Sequence, residues 1–173
     1  MEATNRERWK SVNGYANYEI SNCGRVRNAT TERILKHRTR KDRYLDVGLS
    51  KNGSSKRLLV HRLVVEAFFE NPAEKRCVDH IDGNRSNNNV DNLRWANTSE
   101  NARNACKTSK PTSSIYKGVD YNKQADAWRA RIRTTGKQIL LGYFANEREA
   151  GMAYNTAAVL HHTNFAKINI FSD

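Results

Sequence analysis

The sequence predicts an α+β protein of 173 residues, built from small antiparallel sheets and short helices in separate modules. Apolar and polar residues alternate at 44–49 (YLDVGL), which is the period of a half-buried strand. Residues 146–162 place alanines and a tyrosine on one helical stripe. Between these two stretches, residues 107–114 (KTSKPTSS) are polar, contain proline and show no periodicity, so they are interpreted as a linker.

The composition favours a polyanionic partner. Lys and Arg number 30 against 18 Asp and Glu, which gives a formal charge of +12. Such an excess opposes self-association and suits nucleic acid binding, so we expect a monomer that needs no protein partner. The longest apolar runs, at 63–65 and 67–69, are far too short to span a bilayer, and no basic amphipathic stretch indicates membrane binding.

The N-terminus and the cysteines indicate an intracellular protein. Residues 1–10 contain no apolar stretch typical of a secretory signal. Cys23, Cys77 and Cys106 form no CxxC pair, and their odd number argues against a disulfide framework. We expect three reduced, buried thiols. A zinc site completed by histidine is the alternative, because Cys77 and Cys106 bracket the central motif.

The first part of the chain is predicted to be β-rich and to end in a helix. Residues 22–24 (Asn-Cys-Gly) form a turn, and Asn52-Gly53 is a strong hairpin signal with a returning strand at 57–60. Residues 61–69 (HRLVVEAFF) have helical spacing, and the following Asn71-Pro72 ends that helix.

About the first seventy residues contain Trp9 and the segments GYANYEISNCGRVRN and VHRLVVEAF. On these residues the region resembles the N-terminal module that precedes the nuclease core in phage homing endonucleases. His61 is interpreted as a structural residue or a phosphate contact and is left outside the predicted catalytic site.

The central stretch, residues 77–106, carries an acid, an imidazole and amides at fixed spacing. Residues 79–93 predict a strand, a wide polar loop with a turn at 82–84, and a second short strand. Residues 97–100 predict a helix start, with a capping residue and a glutamate in the first turn. We expect the chain to leave regular β geometry at Asp79-His80, so that both side chains address one phosphate.

These residue types suit hydrolysis of a phosphodiester, which needs a base to deprotonate water and a cation to neutralise developing charge. His80 is the predicted general base, because an imidazole is largely neutral at physiological pH yet accepts a proton. Asp79 and Asn101 are predicted ligands of Mg²⁺ or Mn²⁺. Asn92 joins His80 in the predicted catalytic set, with an amide that fixes the hairpin across the loop. Arg94 is a candidate phosphate contact.

The segment DHIDGNRSNNNVDNLRW followed by Asn101 resembles the HNH (ββα-metal) nuclease motif in its phage homing-endonuclease form. In that resemblance His80 is the first histidine, Asn92 is the middle asparagine and Asp79 is the metal-binding acid. Asn101 stands at the final position, where the family has either His or Asn. The resemblance therefore implies an active nuclease core that binds a divalent metal.

The last part of the chain predicts a three-stranded antiparallel sheet covered on one face by a helix. Strands are predicted at 128–133 and 138–144 around a turn at 135–137, and the helix is predicted to begin after Asn146. The alternation in WRARIR places three arginines on the uncovered face of the sheet: Arg129, Arg131 and Arg133.

This tail is similar to the Apetala/ethylene-response-factor DNA-binding domain, on the residues YKGVD, WRARIR, LGYF and EREAGMAYNTAAVLHH. In that family the sheet lies in the major groove. The resemblance implies DNA contacts by Lys117, Arg129, Arg131, Arg133 and Gln138, among which Arg133 matches the family pattern. The chain departs from the pattern at four positions, so the target sequence does not carry over: Lys117, Asp120, Arg131 and Leu140.

Together these features predict four regions: a β-rich DNA-binding module (1–55), an HNH core (56–106), a linker (107–114) and an Apetala-like domain (115–173). The predicted function is site-specific cleavage of double-stranded DNA by a homing-type endonuclease, in the host cytoplasm if the gene belongs to a phage. Two alternatives stay open. One is a non-catalytic DNA-binding regulator with a degenerate HNH fold, and the other is a restriction-type nuclease.

Overall fold

The computed structural model describes residues 6–107 and 112–171, and the chain forms two compact units, Met1–Thr98 and Ser99–Asp173. The middle of the predicted linker, residues 108–111, lies outside the described residues. The division between units falls at the start of a helix, before the predicted linker, and the predicted domain boundaries stay a prediction.

The first unit opens with an antiparallel sheet of β1 (Trp9–Val12), β2 (Tyr15–Ser21) and β3 (Val26–Asn28). The turn predicted at 22–24 joins β2 to β3, and Gly24 has a φ of +80°. Such a φ is strained for any residue with a Cβ, so glycine makes this tight reversal possible.

A second antiparallel sheet contains β4 (Arg38–Thr39), β5 (Leu45–Lys51) and β6 (Ser54–Leu59). The predicted Asn52-Gly53 hairpin joins β5 to β6, and both turn residues have positive φ. Asp46 on β5 is buried, and it is neutralised by Arg38 and Arg57, which lie 2.7 Å and 2.5 Å from its carboxylate oxygens.

Helix α1 (Val60–Phe68) supplies the centre of the first unit's core. Its apolar stripe is buried, and the core around it includes Ile20 and Val26 from the first sheet. The helix ends before Asn71-Pro72, as the sequence predicts.

Strands β7 (Cys77–His80) and β8 (Leu93–Ala96) form the hairpin of the central motif. The pairing is regular to its end, with Asp79 opposite Arg94 and His80 opposite Leu93. The expected break in β geometry at Asp79-His80 is therefore wrong: the chain turns only after His80. Because successive residues of a strand face opposite sides, Asp79 and His80 have different neighbours.

The second unit contains the predicted sheet of β9 (Val119–Asn122), β10 (Ala127–Thr134) and β11 (Lys137–Phe144). A short helix, α2 (Thr98–Asn104), precedes it, and α3 (Glu147–His162) packs on β10. The Asn146 side chain caps α3 by accepting from the Glu149 amide, as predicted. Ile132, Tyr154 and Ala158 are buried between sheet and helix.

The thiols do not match the expectation that all three are buried. Cys23 and Cys106 are exposed and Cys77 is half-buried. Cys23 lies in a surface turn and Cys106 follows the end of α2, so neither thiol is at a position that packs into a hydrophobic core. Among the helices described, none has the length and apolar character needed to cross a bilayer.

Candidate active site

His80 is the last residue of β7 and is 5% exposed. The chain reverses directly behind it, where the Gly83 amide donates to the His80 carbonyl at 2.8 Å and the Ile81 amide donates to the Asn92 carbonyl at 2.9 Å. The end of one strand and the start of a tight turn thus fix the backbone that carries the imidazole.

Asn92 ties the polar loop to the end of the hairpin. Its Oδ1 accepts from the Asp82 amide at 3.0 Å, and its Nδ2 donates to Asp82 Oδ1 at 3.0 Å and to the Asn87 carbonyl at 2.8 Å. One buried amide therefore spans the loop in three hydrogen bonds.

Asn88 is the polar neighbour of the His80 ring within this loop. Its Oδ1 lies 3.2 Å from His80 Nε2, and its Nδ2 donates to the Ser86 carbonyl at 3.3 Å. Because the amide nitrogen is used towards Ser86, the amide oxygen faces the imidazole and requires a hydrogen on Nε2. Neutral His80 then carries its lone pair on Nδ1.

The other neighbours of His80 are aromatic. The His61 ring centroid lies 5.2 Å from that of His80, and the Tyr44 ring lies 4.8 Å from His61 and 5.9 Å from His80. Arg85 from the loop covers Tyr44 at 4.8 Å. Three rings from β7, α1 and the segment before β5 therefore form one cluster, in which His61 and His80 are buried and Tyr44 is half-buried.

The structure thus brings His61, which the sequence interpretation leaves out, beside the predicted base. A signal for this lies in the sequence, because His61 shares the buried helical face of Val64 and Val65. A histidine on an apolar stripe has to meet another buried group. The identity of that group depends on how α1 packs, so the local sequence pattern does not predict it.

Burial sets the charge of both imidazoles. It lowers the pKa of His80, partly offset by the Asn88 hydrogen bond. Burial, together with smaller contributions from the nearby His80 and Arg62, lowers the pKa of His61 to about 3. Both rings are therefore neutral at physiological pH.

The low pKa of His61 makes stability depend on pH. Its folded-state pKa of about 3 lies below the ordinary 6.5, so the unfolded chain takes up the proton first as the pH falls. Above pH 6.5 His61 is neutral in both states, so the free energy of unfolding keeps its full value. Between pH 6.5 and about 3 the free energy of unfolding falls, by up to about 1.4 kcal/mol per pH unit. We expect His61→Phe to flatten the free energy of unfolding against pH in this window, measured by denaturant titration. An unchanged slope would contradict the buried neutral state.

The Asp79 carboxylate is 3% exposed and is held by Arg94. Arg94 Nε donates to Asp79 Oδ2 at 2.8 Å, and its terminal nitrogen lies 2.7 Å from the same oxygen. Arg94 is therefore engaged with the predicted metal ligand, whereas the sequence interpretation expects it to contact a phosphate.

The predicted metal ligands offer suitable atoms. Asp79 supplies carboxylate oxygen and Asn101, half-buried on α2, supplies amide oxygen, and hard divalent cations prefer both. Asn101 belongs to the second compact unit. Among the described residues, no cluster of three or more His, Cys, Asp or Glu side chains is arranged to hold a metal. The chemistry of the two donors fits Mg²⁺ or Mn²⁺.

The predicted DNA contacts on the tail differ in how accessible they are. Arg129 and Arg131 both donate to Asp120, at 2.7 Å and 2.8 Å. Arg133 and Gln138 are exposed and are direct cross-strand partners on β10 and β11. Arg133 and Gln138 are therefore the most accessible of the predicted DNA contacts on this sheet.

Lys117 has a different environment from the other predicted DNA contacts. Its ammonium donates to the carbonyls of Arg103 and Ala105, and burial lowers its pKa to about 8. A contact with DNA would require Lys117 to give up these hydrogen bonds.

Comparison with known proteins identifies two segments of the chain. Residues 7–50 match the NUMOD4 motif and residues 58–103 match the HNH endonuclease family. The chain is 45% identical over 98 residues to the uncharacterized HNH endonuclease L245 of Acanthamoeba polyphaga mimivirus, covering 57% of this chain and 29% of that protein.

A second relative is the DNA endonuclease I-HmuI of Bacillus phage SP01, 43% identical over 97 residues and 56% of each chain. The solved structure of that enzyme, which concerns its DNA binding and cleavage, matches with a TM-score of 0.53 at 43% identity over 56% of each chain. The chain thus spans about half the length of I-HmuI and less of L245.

The C-terminal part has a shorter match. It resembles the AP2-like ethylene-responsive transcription factor AIL7 of Arabidopsis thaliana, 49% identical over 49 residues, which is 27% of this chain and 10% of that protein. The match agrees with the sheet and helix of the second unit. Two segments of the chain thus match known families: residues 7–50 match the NUMOD4 motif, and residues 58–103, which include the hairpin that presents His80, match the HNH endonuclease family.

Proposed function

We propose that this chain is a site-specific DNA endonuclease of homing type, which hydrolyses phosphodiester bonds in double-stranded DNA. The observation that carries the proposal is the buried, neutral imidazole of His80 at the end of β7, inside the segment that matches the HNH endonuclease family. The charge of +12 supports DNA as the substrate and a monomer that acts without a protein partner.

In this proposal His80 is the general base. Its Nε2 hydrogen is donated to Asn88, so Nδ1 accepts the proton of the water that attacks phosphorus. The lowered pKa keeps the ring in its basic form at physiological pH. Asn92 acts on this chemistry indirectly, because its amide holds the loop that follows His80.

HNH endonucleases generally use a divalent metal ion, and in this chain Asp79 and Asn101 are the proposed ligands for Mg²⁺ or Mn²⁺. When bound, the cation supplies positive charge to the phosphate and the leaving oxygen in the transition state. Arg94 keeps Asp79 Oδ2 in place through two nitrogen contacts. One carboxylate and one amide leave the site net positive, which suits an anionic substrate.

The C-terminal sheet is the proposed reader of the DNA sequence. Arg133 and Gln138 lie side by side on its exposed surface, and their side chains are of the types that bond to guanine and adenine edges. Asp120 neutralises part of the charge on Arg129 and Arg131. That arrangement supports a positioning role for these two arginines beside the exposed pair.

Arg133→Ala is expected to weaken binding to the target duplex by about 1–3 kcal/mol and to relax selectivity at one base pair. The measurement is a binding titration on the target and on a scrambled duplex. Arg148→Ala, which removes the same charge from an exposed position on α3, is the control and should leave target preference unchanged. Equal losses on both duplexes would assign Arg133 to non-specific phosphate contact.

The proposed function is tested by incubating the full chain with a plasmid library of candidate sites, with and without Mg²⁺. Metal-dependent cleavage at defined positions is the expected result. Binding to a defined site without cleavage under any divalent metal would instead favour a DNA-binding regulator with a degenerate HNH fold.

A further inference from the structure

The NUMOD4 motif reaches the loop of the HNH segment through the turn at residues 22–24. The Val90 amide donates to the Asn22 carbonyl at 2.7 Å across 68 residues of chain. Asn22 is fully buried, and it is held in turn by Arg8, whose amide donates to Asn22 Oδ1 at 2.7 Å and whose carbonyl accepts from the Asn22 amide at 3.0 Å. The turn is thus hydrogen-bonded to Arg8 on one side and to Val90 on the other.

Gly24 in this turn lies against Asn88. A Cβ on Gly24 would stand 2.8 Å from Asn88 Cβ and 2.9 Å from the Asn88 carbonyl oxygen. Real Cβ atoms essentially never approach so closely, so any side chain at Gly24 would push the loop at Asn88 away. Asn88 is itself 4% exposed, so its displacement would disturb the residues packed around it.

We infer that Asn88 is a positioning residue for His80, and that the Asn22–Gly24 turn of the NUMOD4 motif holds Asn88 in place. The inference rests on the proposed function for its effect on rate, but its structural part stands separately. It gives the NUMOD4 motif a role in supporting the nuclease site, in addition to the DNA-binding role predicted for the N-terminal module.

The Asn88 hydrogen bond involves one nitrogen of the His80 ring, whereas the contacts with aromatic neighbours involve the ring as a whole. Ring contacts with His61 and Tyr44 restrict where the His80 imidazole lies. A hydrogen bond acts on a single ring nitrogen. An amide oxygen 3.2 Å from Nε2 favours the hydrogen on that nitrogen, which leaves the lone pair on Nδ1.

The side-chain step is tested with Asn88→Ala and Asn88→Asp in the full chain. Asn88→Ala is expected to lower the single-turnover cleavage rate at saturating DNA by about 10–100-fold, the usual cost of a small misplacement near a reacting group. DNA affinity should not change, because Asn88 is buried. Asn88→Asp keeps an acceptor oxygen for Nε2 and should retain the wild-type tautomer.

The contribution of the turn is tested with Gly24→Ala against Gly14→Ala. Both glycines have positive φ, +80° and +75°, so both substitutions carry the same backbone strain. Only Gly24 has a neighbour, since nothing lies within 4 Å of a Cβ at Gly14. We expect Gly24→Ala to slow cleavage by on the order of tenfold or more and Gly14→Ala to leave it near wild type.

A double variant tests whether Gly24 acts through Asn88. If it does, Gly24→Ala combined with Asn88→Ala should cleave no more slowly than Asn88→Ala alone. Additive losses, or equal effects of Gly24→Ala and Gly14→Ala, would overturn the role of the turn. The Asn88 variants change one side chain only, so they test the step to His80 even where Gly24→Ala lowers the folded fraction.

NMR of nitrogen-labelled histidine at neutral pH provides a readout that does not depend on cleavage. His80 should show the Nε2-protonated tautomer in the wild type, in Gly14→Ala and in Asn88→Asp, and a mixture in Asn88→Ala and Gly24→Ala. An unchanged tautomer in Asn88→Ala would overturn the inference. A wild type that shows the expected tautomers but does not cut DNA would refute the proposed function and leave the positioning role supported.

Discussion

Replacing His80 by Ala is expected to lower the rate of DNA cleavage by about 10²–10⁴-fold, because the general base is lost. His80 is also buried against His61 and Tyr44, so the truncation opens a space in the core. His80→Gln is the better comparison, since it fills more of the site but cannot act as a base at neutral pH. Single-turnover cleavage at saturating DNA measures the effect without a contribution from binding.

The control for the base is His161→Ala, which removes an exposed imidazole at the end of α3. It should cut at the wild-type rate. Both His80 variants should bind the target duplex with near wild-type affinity. Cleavage by His80→Gln at the rate of the wild type would show that another group removes the proton from water, and His61, 5.2 Å away ring to ring, would be the first to examine.

Removal of the metal ligands is expected to have the next largest effect. EDTA should abolish cleavage by the wild type, and Asp79→Asn and Asn101→Ala should each weaken the affinity for the activating metal by more than about 10–100-fold, the cost typical of groups that only support a ligand. Asp79→Asn is chosen because its amide oxygen can still accept from the half-buried Arg94 guanidinium, which Asp79→Ala would leave without an acceptor at this position. Titration calorimetry with Mg²⁺ or Mn²⁺ measures affinity independently of cleavage.

Asp91→Asn is the charge-matched control for the metal experiment, because Asp91 is exposed and lies outside the proposed ligand set. It should bind metal and cleave DNA as the wild type does. Cleavage that persists in EDTA would refute a metal mechanism for this chain. Wild-type metal affinity in Asn101→Ala would remove Asn101 from the ligand set and leave Asp79 as the proposed protein ligand.

Local sequence patterns determined most of the secondary structure. The hairpin at Asn52-Gly53 formed as predicted because its two residues tolerate positive φ, and Asn146 began α3 because its side chain accepts from the third residue of the helix. The three-stranded sheet and its covering helix followed from alternation and from an apolar stripe. These signals depend on neighbours within a few residues, so they can be identified without knowing the fold.

The backbone geometry predicted at Asp79-His80 from the local sequence was wrong. A requirement that both side chains reach one phosphate suggested an irregular strand, but the pairing with Arg94 and Leu93 keeps β7 regular to its end. The hydrogen bonds of an antiparallel ladder hold both residues in register, and the strand ends only where the partner strand begins. Register depends on the partner, which the sequence of β7 alone does not specify.

Tertiary structure alone decided what surrounds the predicted base. His61 reaches His80 because α1 packs under the hairpin, and Asn88 reaches it because the polar loop folds back over β7. The turn at Gly24 lies against Asn88, although the two residues are far apart in the sequence. The sequence by itself determined which elements form and which residue types are available for the chemistry. Packing between distant segments decided which of these residues touch, because each such contact depends on where whole elements lie.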